Sequence, residues 1–80
     1  MTTTQRLVGY DRATDLVVEE FPVAPEKLAR ARELAHVPPD DPEVTGCYRL
    51  SAEEARELAW VIEARVDPDR QDYFLEGFAA

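Results

Sequence analysis

Ser51 followed by Glu54 forms a capping box, in which each side chain can satisfy a free backbone amide at the start of a helix. Behind it Ala55, Leu58, Ala59, Ile62 and Val66 recur at i, i+3, i+4, i+7 and i+11, one narrow apolar stripe. This pattern constrains the fold most. A helix with a single apolar stripe must lay it against another layer, which puts Leu58 and Ile62 in a core. Asp67-Pro68-Asp69 is expected to end the helix.

The other layer reads as a sheet. Residues 5–10 form a short strand, Asp11 to Asp15 carry turn chemistry, and residues 16–21 are β-branched and aromatic. The two runs pair as a hairpin, and Pro22, which lacks an amide hydrogen, is expected to end the ladder. Pro25 then suits the first position of a helix over residues 25–36, with Leu28, Ala31 and Ala35 at helical spacing and Leu34 beside them. Glu26 and Arg30 are expected to pair at i, i+4, and Pro38-Pro39 stops the helix.

Residues 37–45 read as a loop whose Asp40, Asp41 and Glu43 face water. Residues 46–50 look like a third strand and 72–78 like a last one, with a tail packed on the core as the alternative for the latter. The order β-β-α-β-α-β does not interleave strands and helices strictly. An α+β fold is therefore expected: a single domain over 1–80, with a small, mostly antiparallel sheet and two helices packed on one face.

Such a chain has a thin stability margin, because 80 residues bury only about 60% of the unfolded surface. Cys47 is the only cysteine, so no disulfide staples the fold within the chain, and a lone thiol fits a reducing compartment. The hydrophobic fraction of 45% is enough for a core. Nine basic against seventeen acidic residues give a net charge of −8, which opposes nucleic acid and anionic membranes and favours a basic partner or simple solubility. No signal-like or membrane-spanning apolar run is seen, so a cytoplasmic location is expected. The many Ala, Arg, Asp, Pro and Val residues suggest a GC-rich, bacterial genome.

The residues that could carry chemistry are few. Asp67, Asp69 and Asp72 resemble the start of a calcium loop, but the sixth position holds Asp72 instead of glycine and the twelfth holds Phe78 instead of glutamate. His36 and Cys47 are the only candidates for a thiol–imidazole pair, and one of each cannot close a zinc site. Cys47 is expected as a small core hydrophobe. No glycine-rich phosphate loop and no basic stripe is present. No catalytic residue, cofactor or metal is therefore expected.

One residue is out of place. At 100° per residue Trp60 falls about 140° from Ala55, on the polar side of the second helix beside Glu53 and Glu57. It is covered either by the chain's own 37–45 loop or C-terminal tail, or by a partner. In the second case Trp60, Glu53 and Glu57 form an aromatic anchor ringed by acids. In size and charge the chain is similar to bacteriocin immunity proteins, a likeness of bulk properties that covers no motif. The expected function is a non-catalytic protein-interaction domain that binds or inhibits a basic protein. The alternatives are a small-ligand or enzymatic domain using His36, Cys47 or an acidic cluster, and a homo-oligomeric accessory domain paired with a second copy of itself.

Overall fold

The computed structural model describes residues 3–79. Strand β1 (Thr3–Asp11) turns into β2 (Val17–Val23). A 3-10 turn at Pro25–Lys27 leads into α1 (Leu28–Leu34), followed by β3 (Cys47–Leu50), α2 (Ala52–Ile62) and β4 (Gln71–Ala79). The sheet order is β2-β1-β4-β3, with every neighbouring pair antiparallel. This is the expected α+β fold, and residues 71–79 are a strand.

The first and last strands lie at the centre of the sheet, paired from Thr3 with Ala79 to Asp11 with Gln71. Along them Leu7 faces Leu75 and Gly9 faces Tyr73, while Tyr48 and Leu50 of β3 and Phe21 and Val23 of β2 continue the same face. Both helices lie on it. Ala31 and Leu34 of α1, with Ala55 and Leu58 of α2, close the core against Leu7, Leu75 and Tyr73.

Local chemistry explains most of the boundaries. In the β1–β2 turn, Asp11 Oδ1 accepts from the amides of Ala13 and Thr14, and Asp15 takes the left-handed conformation at φ 59°. Ser51 accepts from the Glu54 amide and Glu54 from the Ser51 amide, so the capping box is formed.

Four expectations are corrected. Pro22 does not end the ladder: it pairs with Arg6 inside β2, which an edge strand tolerates. α1 proper starts at Leu28 and stops at Leu34, because His36 turns left-handed at φ 56° two residues before the prolines. Its closing bonds, Val37 N–H to Arg32 O and His36 N–H to Glu33 O, satisfy the last carbonyls. α2 likewise ends at Ile62, because Glu63 is left-handed, so Val66 packs on the core from the connection that follows and not from the helix. Leu58 is fully buried and Ile62 half-buried. Arg30 does not pair with Glu26; it bridges to Glu57 of α2 at 2.7 Å and to Glu33 at 3.8 Å.

The 37–45 loop is more structured than a solvated connection. Asp41 accepts from the amides of Thr45 and Gly46 and from the hydroxyls of Thr45 and Tyr48. The Tyr48 hydroxyl, and then the Thr45 and Gly46 donors, hold its carboxyl well below the usual carboxylate range. Val44 is fully buried at φ 56°, a costly conformation for a β-branched side chain that only firm surroundings maintain.

Candidate functional site

The exposed face of α2 carries the residues singled out by helical phase. Trp60 is 83% exposed, the most exposed large hydrophobic side chain among the described residues. Neither segment that could have covered it does so. The 37–45 loop inserts Val44 into the core, and residues 71–79 belong to the sheet. Glu53 and Glu57 are exposed on the same side, two turns and one turn before Trp60 respectively.

The surroundings of Trp60 are less acidic than the sequence suggests. Glu57 is held by Arg30 of α1 at 2.7 Å. Lys27 donates its Nζ to the Val61 carbonyl at 3.1 Å, covering a free carbonyl near the negative end of α2. A shallow groove runs between these elements, lined by Lys27, Ala59, Trp60, Val61, Glu63 and Ala64. The site is thus an indole standing clear of a capped helix, with carboxylates along the helix and two cations at its border, Lys27 from the 3-10 turn and Arg30 from α1.

The structure does not bring His36 and Cys47 into one site. His36 Nε2 lies 2.6 Å from Glu54 Oε2, and the other oxygen of Glu54 accepts from the Ser51 amide. The imidazole therefore ties the end of α1 to the cap of α2. The Ser51 amide and His36 lower the Glu54 carboxyl below its ordinary value. Cys47 projects from the sheet face opposite the helices and is exposed, which corrects its reading as a core residue. Its sulfur lies 3.4 Å from Glu76 Oε2; desolvation and that carboxylate push the thiol up to about 11, which disfavours the nucleophilic thiolate.

The acidic triplet is tied up by arginines: Asp72 accepts from Arg12 and Arg49, Asp69 lies 3.9 Å from Arg56, and Asp67 lies 3.8 Å from Arg70. Among the described residues no three His, Cys, Asp or Glu side chains gather as a metal site.

Sequence reasoning missed the second face of the sheet. Val8 is buried there although both helices lie on the other side. Tyr10 and Phe74 meet edge to face at 5.4 Å, and the Arg6 guanidinium sits 4.2 Å above the Phe78 ring. The alternation of apolar positions in β1 and β4 was the available signal, but a two-residue period does not tell which rings shield which neighbours.

The three tyrosines make the fold sensitive to alkali. Tyr10 is raised to about 12 by its hydrogen bond to Glu76, Tyr48 to about 12 by Asp41, and Tyr73 to about 12 by burial and the Glu19 carboxylate. The folded state holds these protons more tightly than the unfolded chain, whose tyrosines titrate near 10.0. Their contribution is complete below pH 10 and is lost as pH rises toward 12. Thermal midpoints measured across that window should fall steeply; a flat profile would contradict the hydroxyl geometry.

Fold and site together define a two-layer α+β domain with one bare aromatic on its helical layer. The chain belongs to a family described as a domain of unknown function, DUF7683, whose model matches residues 4–76, from β1 into β4. No curated protein and no solved structure is significantly similar to it. No helix among the described residues is long and apolar enough to cross a membrane.

Proposed function

We propose that this chain is a non-catalytic protein-interaction domain that docks a basic partner on the outer face of α2, with Trp60 as the anchor and Glu53 and Glu57 beside it. The observation that carries this reading is the 83% exposure of Trp60 on a well-capped helix. Aromatic side chains bury about 150–250 Å² each, so a small domain that leaves its only tryptophan in water forgoes a large contribution to its own stability. Tryptophan is also the residue most enriched among interface hot spots. The charge of −8 steers a basic surface toward the site. A non-catalytic role is supported by the commitment of His36 to a helix cap and by the raised thiol of Cys47.

Because Trp60 is the only tryptophan, its fluorescence reports directly on this face. In dilute protein its emission should match indole in water and be fully open to acrylamide. Co-expression with the products of adjacent genes should recover a basic protein that shifts the emission to the blue and shields it. Trp60→Ala should leave the urea melt nearly unchanged and weaken that complex by about 2 kcal/mol, with association rates that fall as salt rises. Emission already shielded in the dilute monomer would end the proposal. A dimer that forms with concentration and is lost in Trp60→Ala would assign the face to a second copy instead.

A further inference from the structure

The outer edge of β2 combines three features not used by α2. Among the described residues no strand pairs with it. Leu16 just before it and Val17 and Val18 at its start are 66%, 48% and 48% exposed and, with Trp60, are the exposed large hydrophobics among the described residues. From Ala13 through Glu26 the chain carries Asp15, Glu19, Glu20 and Glu26 and no Lys or Arg.

The direction of the backbone groups follows from the register. The Asp11 amide donates to the Leu16 carbonyl, so odd residues of β1 face β2. Their partners Glu19, Phe21 and Val23 therefore turn inward, and Glu20 and Pro22 turn their backbone groups to solvent. Val18 is the extra residue of a bulge and has no partner. Proline at position 22 removes one outward donor and so blocks the free outer edge at that end, while the inner pairing with β1 runs on to Val23. What stays open is a short template centred on Glu20, with an apolar rim.

We propose that this edge takes up an extended, lysine- or arginine-bearing segment of a partner protein as a fifth strand. Strand addition supplies main-chain hydrogen bonds, while alternate side chains supply specificity. Charge selects the occupant. A second copy added antiparallel would set Glu20 at or near its own counterpart, and like charges facing each other across strands are destabilising. A basic strand meets Glu19 and Glu20 favourably. Arg6 bridges Glu20 at 2.8 Å from the sheet face, but both side chains are about two-fifths exposed, so a competing cation can exchange with it. The proposal stands on β2 and does not require Trp60.

The test uses the whole chain, labelled for amide spectroscopy, and two peptides: acetyl-Lys-Val-Lys-Val-Lys-Val-amide and its Glu-for-Lys counterpart. At saturation the lysine peptide should slow exchange of the Glu20 amide about tenfold or more, with shifts concentrated on residues 16–22. The glutamate peptide should change neither. Glu20→Pro, which removes the outward donor where the inner ladder does not need one, should abolish the protection. Glu20→Lys, which keeps every backbone group, should weaken the lysine peptide by about tenfold. Protection confined to β3 instead, equal binding of the two peptides, or unchanged binding to both variants would overturn the proposal. Protection of Glu20 in the peptide-free protein that grows with protein concentration would overturn it in favour of a second copy.

Discussion

Gly77→Ala is expected to lose at least about 3 kcal/mol of folding stability, a large share of what an 80-residue domain has. A Cβ at this position of β4 would stand 2.0 Å from the Val44 carbonyl oxygen, 2.9 Å from its carbon and 3.1 Å from the Glu43 carbonyl. All three are backbone atoms, so no side-chain rotation relieves the clash. The demand is for space, since no glycine among the described residues has a positive φ. The loop cannot simply lift away. Gln5 Nε2 donates to the Glu43 carbonyl at 2.9 Å, and Asp41 holds Thr45 and Gly46. Either β4 leaves its pairing with β1 or Val44 leaves the core, and extracting a buried valine costs about 1.5–3 kcal/mol by itself. Gly46→Ala is the control, because the atoms nearest its added methyl belong to the Tyr48 side chain, from 3.0 Å, and not to backbone. Urea melts of the two variants should differ widely. A Gly77→Ala loss below about 1 kcal/mol would mean that the loop does not lie against β4.

Elements that declare themselves locally were legible in the sequence. The capping box at Ser51 and Glu54 and the 11–15 turn are interactions between near neighbours, and both are formed as expected. Helix ends were read less well. Glu63 and His36 adopt left-handed conformations that glycine usually marks, and neither site has one. The edge position that tolerates Pro22 depends on sheet order, and sheet order depends on contacts 60 or more residues apart along the chain, such as Leu7 with Leu75. The same holds for Asp41. Its sequence context of prolines and acids suggests solvent, and its role appears only when Tyr48 and Thr45 are placed around it. At the candidate site, the helical phase of Trp60 was readable. The neutralisation of Glu57 was not, because Arg30 comes from the other helix.

Tyr73 joins three separate parts of the fold, and its two simplest substitutions should separate the work of ring and hydroxyl. The residue is 1% exposed in β4. Its ring lies across Gly9, where a Cβ would come within 2.8 Å of Tyr73 Cε1. The hydroxyl accepts from the Asp67 amide at 2.8 Å and has the Glu19 carboxylate at 2.8 Å and Gln71 Oε1 at 2.6 Å for its proton. It thereby connects the segment after α2 to β2 across β1. Tyr73→Ala removes the ring and the network together and should cost about 3–5 kcal/mol, enough to leave much of the population unfolded at 37 °C. Tyr73→Phe keeps the ring over Gly9 and strands the Asp67 amide, which should cost about 1–2 kcal/mol. The phenylalanine variant should also lose stability less steeply between pH 10 and pH 12, because one raised hydroxyl is gone while those of Tyr10 and Tyr48 stay. Urea melts at neutral and alkaline pH distinguish the outcomes. If Tyr73→Phe matches the wild type in both, the hydroxyl network contributes nothing. If it matches Tyr73→Ala, the hydroxyl and not the ring holds the segment after α2 in place.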